Sequence, residues 1–249
     1  MTNAPSRRTA LQLLSVGTLL AGVTTAAALP ANEDLAQLQQ QLAAAPRRRS
    51  FTTVPFMVTS RDQWDHEAAE AVLSYRYRSL QTWECTEITA PWLNLMREAI
   101  SGQVFAHGNP GFLAVAAIHG SAHLALFDQA AWDTHALARL SPAKTNTFMQ
   151  QKPGTSPADD IQDLAGYYGP DNNNIQTLQQ RGAVFIACHD SIHAIARLLR
   201  QKAEDTGPSA DAIAADLTNH LVPGAVLVPS VVAFLVELQR SGFTYAKGG

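Results

Sequence analysis

The chain reads as one α/β domain on a parallel sheet flanked by helices, with a helical extension and an export leader ahead of it. Two observations predict this fold. Phe112-Leu113-Ala114-Val115-Ala116-Ala117-Ile118 and Ala183-Val184-Phe185-Ile186-Ala187 are continuous apolar runs bounded by turn residues, the habit of strands buried on both faces of a parallel sheet. The C-terminal third then repeats a strand, turn, helix, strand order: Ala225 to Val228, Pro229, a helix from Ser230 to Arg240, a stop at Ser241-Gly242, and a short strand from Phe243 to Ala246. That order is the grammar of βαβ units.

The remaining elements follow from local pattern. Glu33 to Ala45 carries Leu35, Leu38 and Leu42 at helical spacing among glutamines and stops at Pro46, so it reads as a surface helix continued by a solvated Arg47-Arg48-Arg49 tether. Val54 to Val58 reads as a short edge strand, its Pro55 barring a central place. Asp62 to Leu80 reads as a helix on the stripe Trp64, Ala68, Ala71, Val72 and Tyr75. A second helix is expected from Glu87 to Ile100, with Pro91 in its first turn, and a third from Ser191 to Gln201. Ser141 to Asn174, rich in Pro, Gly, Asn and Asp, is expected as long loop.

The N-terminus addresses the chain. Ser6-Arg7-Arg8-Thr9-Ala10-Leu11 sets two arginines before a modest apolar run that ends in Ala26-Ala27-Ala28, a small-residue site for a signal peptidase. The pattern resembles a twin-arginine signal, with Ala10 where Phe is common and Gln12 where Lys is usual. The expected division is residues 1–28 as signal, 29–50 as helical tether and 51–249 as the α/β domain. The expected place is the periplasm, reached through the twin-arginine translocase, with no stable membrane span after cleavage.

Composition excludes several classes. Of 249 residues 46% are hydrophobic and 16% charged, which fits a globular domain and neither a disordered nor a disulfide-rich one. The net charge of -3, with Lys and Arg scattered, gives no nucleic-acid surface. No G-x-S-x-G elbow, G-x-G-x-x-G fingerprint or P-loop occurs, so hydrolase and nucleotide readings lose their motifs. Asp171-Asn172-Asn173-Asn174 lacks the spacing of a calcium loop and reads as a turn.

Two motifs carry chemistry, His119-Gly120-Ser121-Ala122-His123 and Cys188-His189-Asp190-Ser191-Ile192-His193. Each follows an expected strand, and ligands of parallel sheets bind outside the carboxyl ends of the strands. Each also holds two histidines four residues apart, which on a helix share a face. Cys188 stands at the start of a helix, where a thiolate gains from unpaired amides. His119, His123, Cys188 and His193 together have the donor types of a transition-metal site, and a metal or haem cofactor would use them. Cys85 and Cys188 are the only cysteines, and sequence leaves open whether they pair.

The stretch from Arg181 to Lys247, with Cys188 at a strand end, Leu221-Val222-Pro223-Gly224, Val228-Pro229-Ser230 and Leu238-Gln239-Arg240-Ser241-Gly242-Phe243-Thr244-Tyr245, is similar to DsrE-like proteins. The resemblance implies a Rossmann-like or flavodoxin-like sheet, a homo-oligomer, and a cysteine that carries sulfur as a persulfide. Cys188 takes that role, with His119 and His189 beside it, and the partner is a small sulfur species or a sulfur-carrier protein. Two other readings stand next to this one: a periplasmic metal- or haem-binding protein using Cys188, His119, His123, His189 and His193, and a non-catalytic oligomeric scaffold.

Overall fold

In the computed structural model, residues 32–201 and 207–249 are described; the expected leader and its cleavage site lie outside them. The described residues form a Rossmann-like α/β domain with five parallel strands: β1 (Leu80–Cys85), β2 (Leu113–Ile118), β3 (Val184–Cys188), β4 (Val226–Val228) and β5 (Thr244–Lys247), in spatial order β4-β3-β2-β1-β5. Every residue of β2, β3 and β4 is buried, which is why these segments are apolar without alternation.

The connections divide the helices between the two faces. The helices α3 (Trp92–Ser101), α4 (Gln129–Thr134), α5 (Ile175–Gln180), α6 (His189–Gln201) and α7 (Ala210–Asn219) join β1 to β4 in sequence and pack on one face against Trp83, Cys85, Ala116, Phe185 and Leu227. The other face, with Leu113, Val115, Ile186 and Cys188, is covered by α1 (Glu33–Ala44), α2 (His66–Ser74) and α8 (Val231–Arg240). Helix α8 takes the chain back from β4 at one edge to β5 at the other. Strands β1, β2 and β3 therefore exit toward the first face and β4 toward the second. The crevice between the ends of β3 and β4 is the topological switch point of the sheet.

Several expected elements are corrected. No strand forms at Val54 to Val58; residues 51–57 instead run as an irregular strap over α6 and α7, tied by Phe51 N–H to Asn219 Oδ1 at 2.9 Å and by Val54 N–H to Asp211 O at 3.4 Å. The helix expected from Asp62 to Leu80 is only α2, because Tyr75 is already extended and Leu80 opens β1. The helix expected from Glu87 starts at Trp92, after Pro91. Helix α6 starts at His189 rather than Ser191, and β5 lies one residue beyond its expected start. Helix α1 is the expected surface helix, but its Leu38 is buried in the core of the second face and docks it there.

The Arg47-Arg48-Arg49 segment is anchored, not solvated. Asp65, wholly buried, accepts from Arg48 N–H at 2.9 Å, from Arg49 Nη2 at 2.8 Å and from Leu227 N–H at 2.8 Å. Its own N–H donates to Leu227 O at 3.0 Å. Asp65 thus closes the open edge of β4 and clamps the arginine segment against it, while Arg48 pairs with Glu67.

Cys85 and Cys188 do not pair. Both are free and buried, they face opposite sides of the sheet, and β2 lies between their strands. Two strand spacings, about 10 Å, exceed the reach of a disulfide.

Candidate functional site

The carboxyl edge of the sheet gathers the predicted residues but sorts them into three places. Cys188 ends β3 at the switch point, only 2% exposed, with its side chain toward the α8 face. Sequence places it at the start of α6; its sulfur meets a different helix. The N–H of Val231, first residue of α8, donates to Cys188 Sγ at 3.4 Å, and Ser230 caps that helix. The positive end of the α8 dipole stands against the thiol.

His119 lies one step past Ile118 and Ala187, the last register pair of β2 and β3, where the Cys188 N–H turns to His123 Nε2 instead of the β2 backbone. Its backbone is extended, and strand alternation turns its side chain to the same face as Cys188. There its Nε2 lies 3.0 Å from Glu84 Oε1, and the other oxygen of Glu84 accepts from the Tyr245 hydroxyl. The hydrogen bond from Tyr245, with a smaller contribution from His119, holds the Glu84 carboxyl below its usual range against partial burial. The same bond pushes the Tyr245 hydroxyl up. His119, Glu84 and Tyr245 are so linked by hydrogen bonds along the ends of β2, β1 and β5, on the face of the sheet that Cys188 shares. Sequence reasoning missed Glu84 and Tyr245, since β1 was not recognised and only its register brings them to His119.

Gly120 shapes the turn after His119. Its φ is +59°, and an added Cβ would lie 2.6 Å from Thr86 O, so both conformation and space require glycine. Its N–H donates to Ser191 Oγ at 3.2 Å. Gly120→Ala is expected to cost about 1–3 kcal/mol in urea unfolding. A loss under about 0.5 kcal/mol would show that the turn relaxes freely.

His123 is on the opposite face. Gly120 and the 3-10 turn that follows break the helical spacing, so His119 and His123 do not share a side. His123 is fully buried, its ring 5.0 Å from that of Phe127, and its Nε2 accepts from the Cys188 backbone N–H at 3.0 Å. Burial drives its pKa down to about 3, so it is neutral.

The second histidine pair does share a helix face. The rings of His189 and His193 are 4.6 Å apart and buried under the strap. His189 Nε2–H donates to Pro55 O at 2.8 Å, and His193 meets the Phe56 ring at 5.7 Å. Burial lowers both pKa values, that of His193 to about 4 with His189 as the second cause.

The expected four-donor metal set of His119, His123, Cys188 and His193 is not assembled. His119 and Cys188 face α8, while His123 and His193 lie on the other side of the sheet. Among the described residues no group of three or more His, Cys, Asp or Glu side chains could hold a metal ion. No helix among them is long and apolar enough to cross a membrane. No protein-family model matches the chain, nor does any curated protein or solved structure.

Proposed function

We propose that the protein is an exported, DsrE-like sulfur carrier that takes up sulfur on Cys188. One observation carries this reading: Cys188 ends a strand at the topological switch point with its sulfur on the first amide of α8. The parallel sheet that the DsrE resemblance implies is present, and the strand-end position of Cys188 agrees with it. The chemistry asked of the site is thiol transfer. The Cys188 thiolate attacks the outer sulfur of a persulfide or inorganic polysulfide, a new S–S bond forms, the donor's S–S bond breaks, and the donor leaves as a shortened thiolate. There is no net redox change. A thiol only 2% exposed excludes bulky donors, and its burial shields a persulfide there from bulk thiols.

The test is the mass of the Cys188 peptide after incubation with inorganic polysulfide. The wild-type peptide gains one sulfur atom, and Cys188→Ala takes up none at that peptide or at Cys85, while losing about 1 kcal/mol of stability. Sulfur uptake that survives Cys188→Ala, or a wild-type chain that stays bare, overturns the reading.

A further inference from the structure

We infer that the strap over α6 and α7 is an acid-released latch: it lies closed on His189 and His193 while both imidazoles are neutral, and lifts off α6 when they take up protons, before the sheet unfolds. The inference does not rest on the role of Cys188. The closing contacts sit at the middle of the strap. His189 Nε2–H donates to Pro55 O at 2.8 Å, and the Phe56 ring stands edge-on to His193 at 5.7 Å with the Arg197 guanidinium 5.2 Å over its other contact surface. Val54 is the one deeply buried residue of the strap, and its N–H reaches Asp211 O at 3.4 Å, a long bond. Phe56 and Met57 are 48% and 64% exposed, so little apolar burial holds this segment down.

The flanks are held more firmly. Ahead of the strap the arginine segment is clamped by Asp65, and Phe51 exchanges two hydrogen bonds with the Asn219 side chain, at 2.9 and 2.7 Å. After it, the amides of Thr59 and Ser60 donate to Gln63 Oε1. Thr52 to Val58 can lift between these anchors while the sheet stays in place, and lifting frees the apolar run Val54-Pro55-Phe56-Met57 and uncovers the histidine face of α6.

Protons are the trigger because the closed site has no place for a second one on either ring. With its proton on Nε2, His189 keeps a lone pair on Nδ1; a proton on His193 Nδ1 would face Asp211 Oδ1 at 3.8 Å and leave a lone pair on Nε2. His189 Nδ1 and His193 Nε2 are both buried without a hydrogen-bond partner among the described residues. A proton added to either atom becomes a buried donor with no acceptor, beside a second ring 4.6 Å away. The strap itself carries no charged side chain. Asp190 on α6, Asp211 on α7 and the backbone at Pro55 favour the charged rings, Arg197 on α6 opposes them, and burial outweighs the rest. The closed strap therefore binds fewer protons than the open one. Closure is complete above the ordinary imidazole value of 6.5 and weakens as pH falls toward the closed value of about 4 for His193.

The experiment is hydrogen–deuterium exchange of the peptide spanning the strap, corrected for intrinsic exchange at each pH, with the β2 peptide as internal reference. From His193 alone the open fraction of the strap is expected to rise about twentyfold between about pH 7 and about pH 5, with β2 staying far better protected at both. His193→Phe keeps a ring against Phe56 and cannot charge, and it is expected to remove most of that rise. His189→Gln keeps a donor for Pro55 O and is expected to remove a smaller part, so either variant serves if the other fails to fold. Wild-type strap protection that is equal at the two pH values overturns the inference. So does a strap that exchanges only as fast as β2, which would mean that it opens with the whole domain, or a rise that both variants keep in full.

Discussion

Asp65→Ala is expected to cost about 3–5 kcal/mol of unfolding free energy, a large part of the roughly 5–15 kcal/mol that holds a domain together. The carboxylate has no exposure, and its removal leaves several donors short of an acceptor: the Arg48 and Leu227 amides and the Arg49 guanidinium. Arg47 loses its ion pair with Asp65, at 3.9 Å, although its guanidinium keeps the carbonyls of Leu42, Ala45 and Ala225. Asp65→Asn keeps the volume and one acceptor oxygen, so its loss is expected to be about half as large. Urea unfolding followed by circular dichroism measures both. A loss under about 1 kcal/mol for Asp65→Ala would mean that water replaces the carboxylate at the β4 edge and that the clamp is dispensable.

This clamp also shows where the sequence is silent. Asp65 falls within the first turn of the helix expected from Asp62 and carries no sign of its role there, because burial of a carboxylate depends on partners that are 16 and 162 residues away. Of the legible strands, β2, β3 and β4 are buried on both faces, so hydrophobicity alone marks them, whereas the largely exposed β5 was legible from its place after a helix and a glycine stop. Leu80–Cys85 was not legible. Its Gln81, Thr82 and Glu84 interrupt the apolar run, and Tyr75 extends the stripe of α2 past the point where the helix ends.

The site follows the same rule. Cys188 and His119 were readable because each follows a fully buried strand, and the four-residue spacing of His189 and His193 holds because α6 is a regular helix from its first residue. The same spacing misleads at His119 and His123, where the left-handed Gly120 opens a 3-10 turn instead. Glu84 and Tyr245 lie 161 residues apart, and only the return of α8 across the sheet makes them neighbours. Local pattern holds no trace of such a pair.

Acid is expected to destabilise the fold steeply, through the buried histidines. His123 is neutral in the folded chain because burial takes its pKa from an ordinary 6.5 to about 3; burial lowers His189 and His193 as well. The unfolded chain then binds more protons than the folded one wherever pH lies below about 6.5, so stability falls as pH falls. From His123 alone the loss between about pH 7 and about pH 5 is roughly 2 kcal/mol, and it continues until pH reaches the folded pKa near 3. His189 and His193 act in the same direction, and two imidazoliums under the strap would also repel each other. Asp190 and Asp211 oppose this in part, and Arg197 adds to it. Urea midpoints measured across this range are expected to fall throughout, and His123→Gln, whose amide oxygen can still accept from the Cys188 N–H, is expected to flatten the fall by about 2 kcal/mol. A midpoint that holds steady down to about pH 5 in the wild type would show that these imidazoles take up protons inside the folded chain, with solvent reaching them despite their burial.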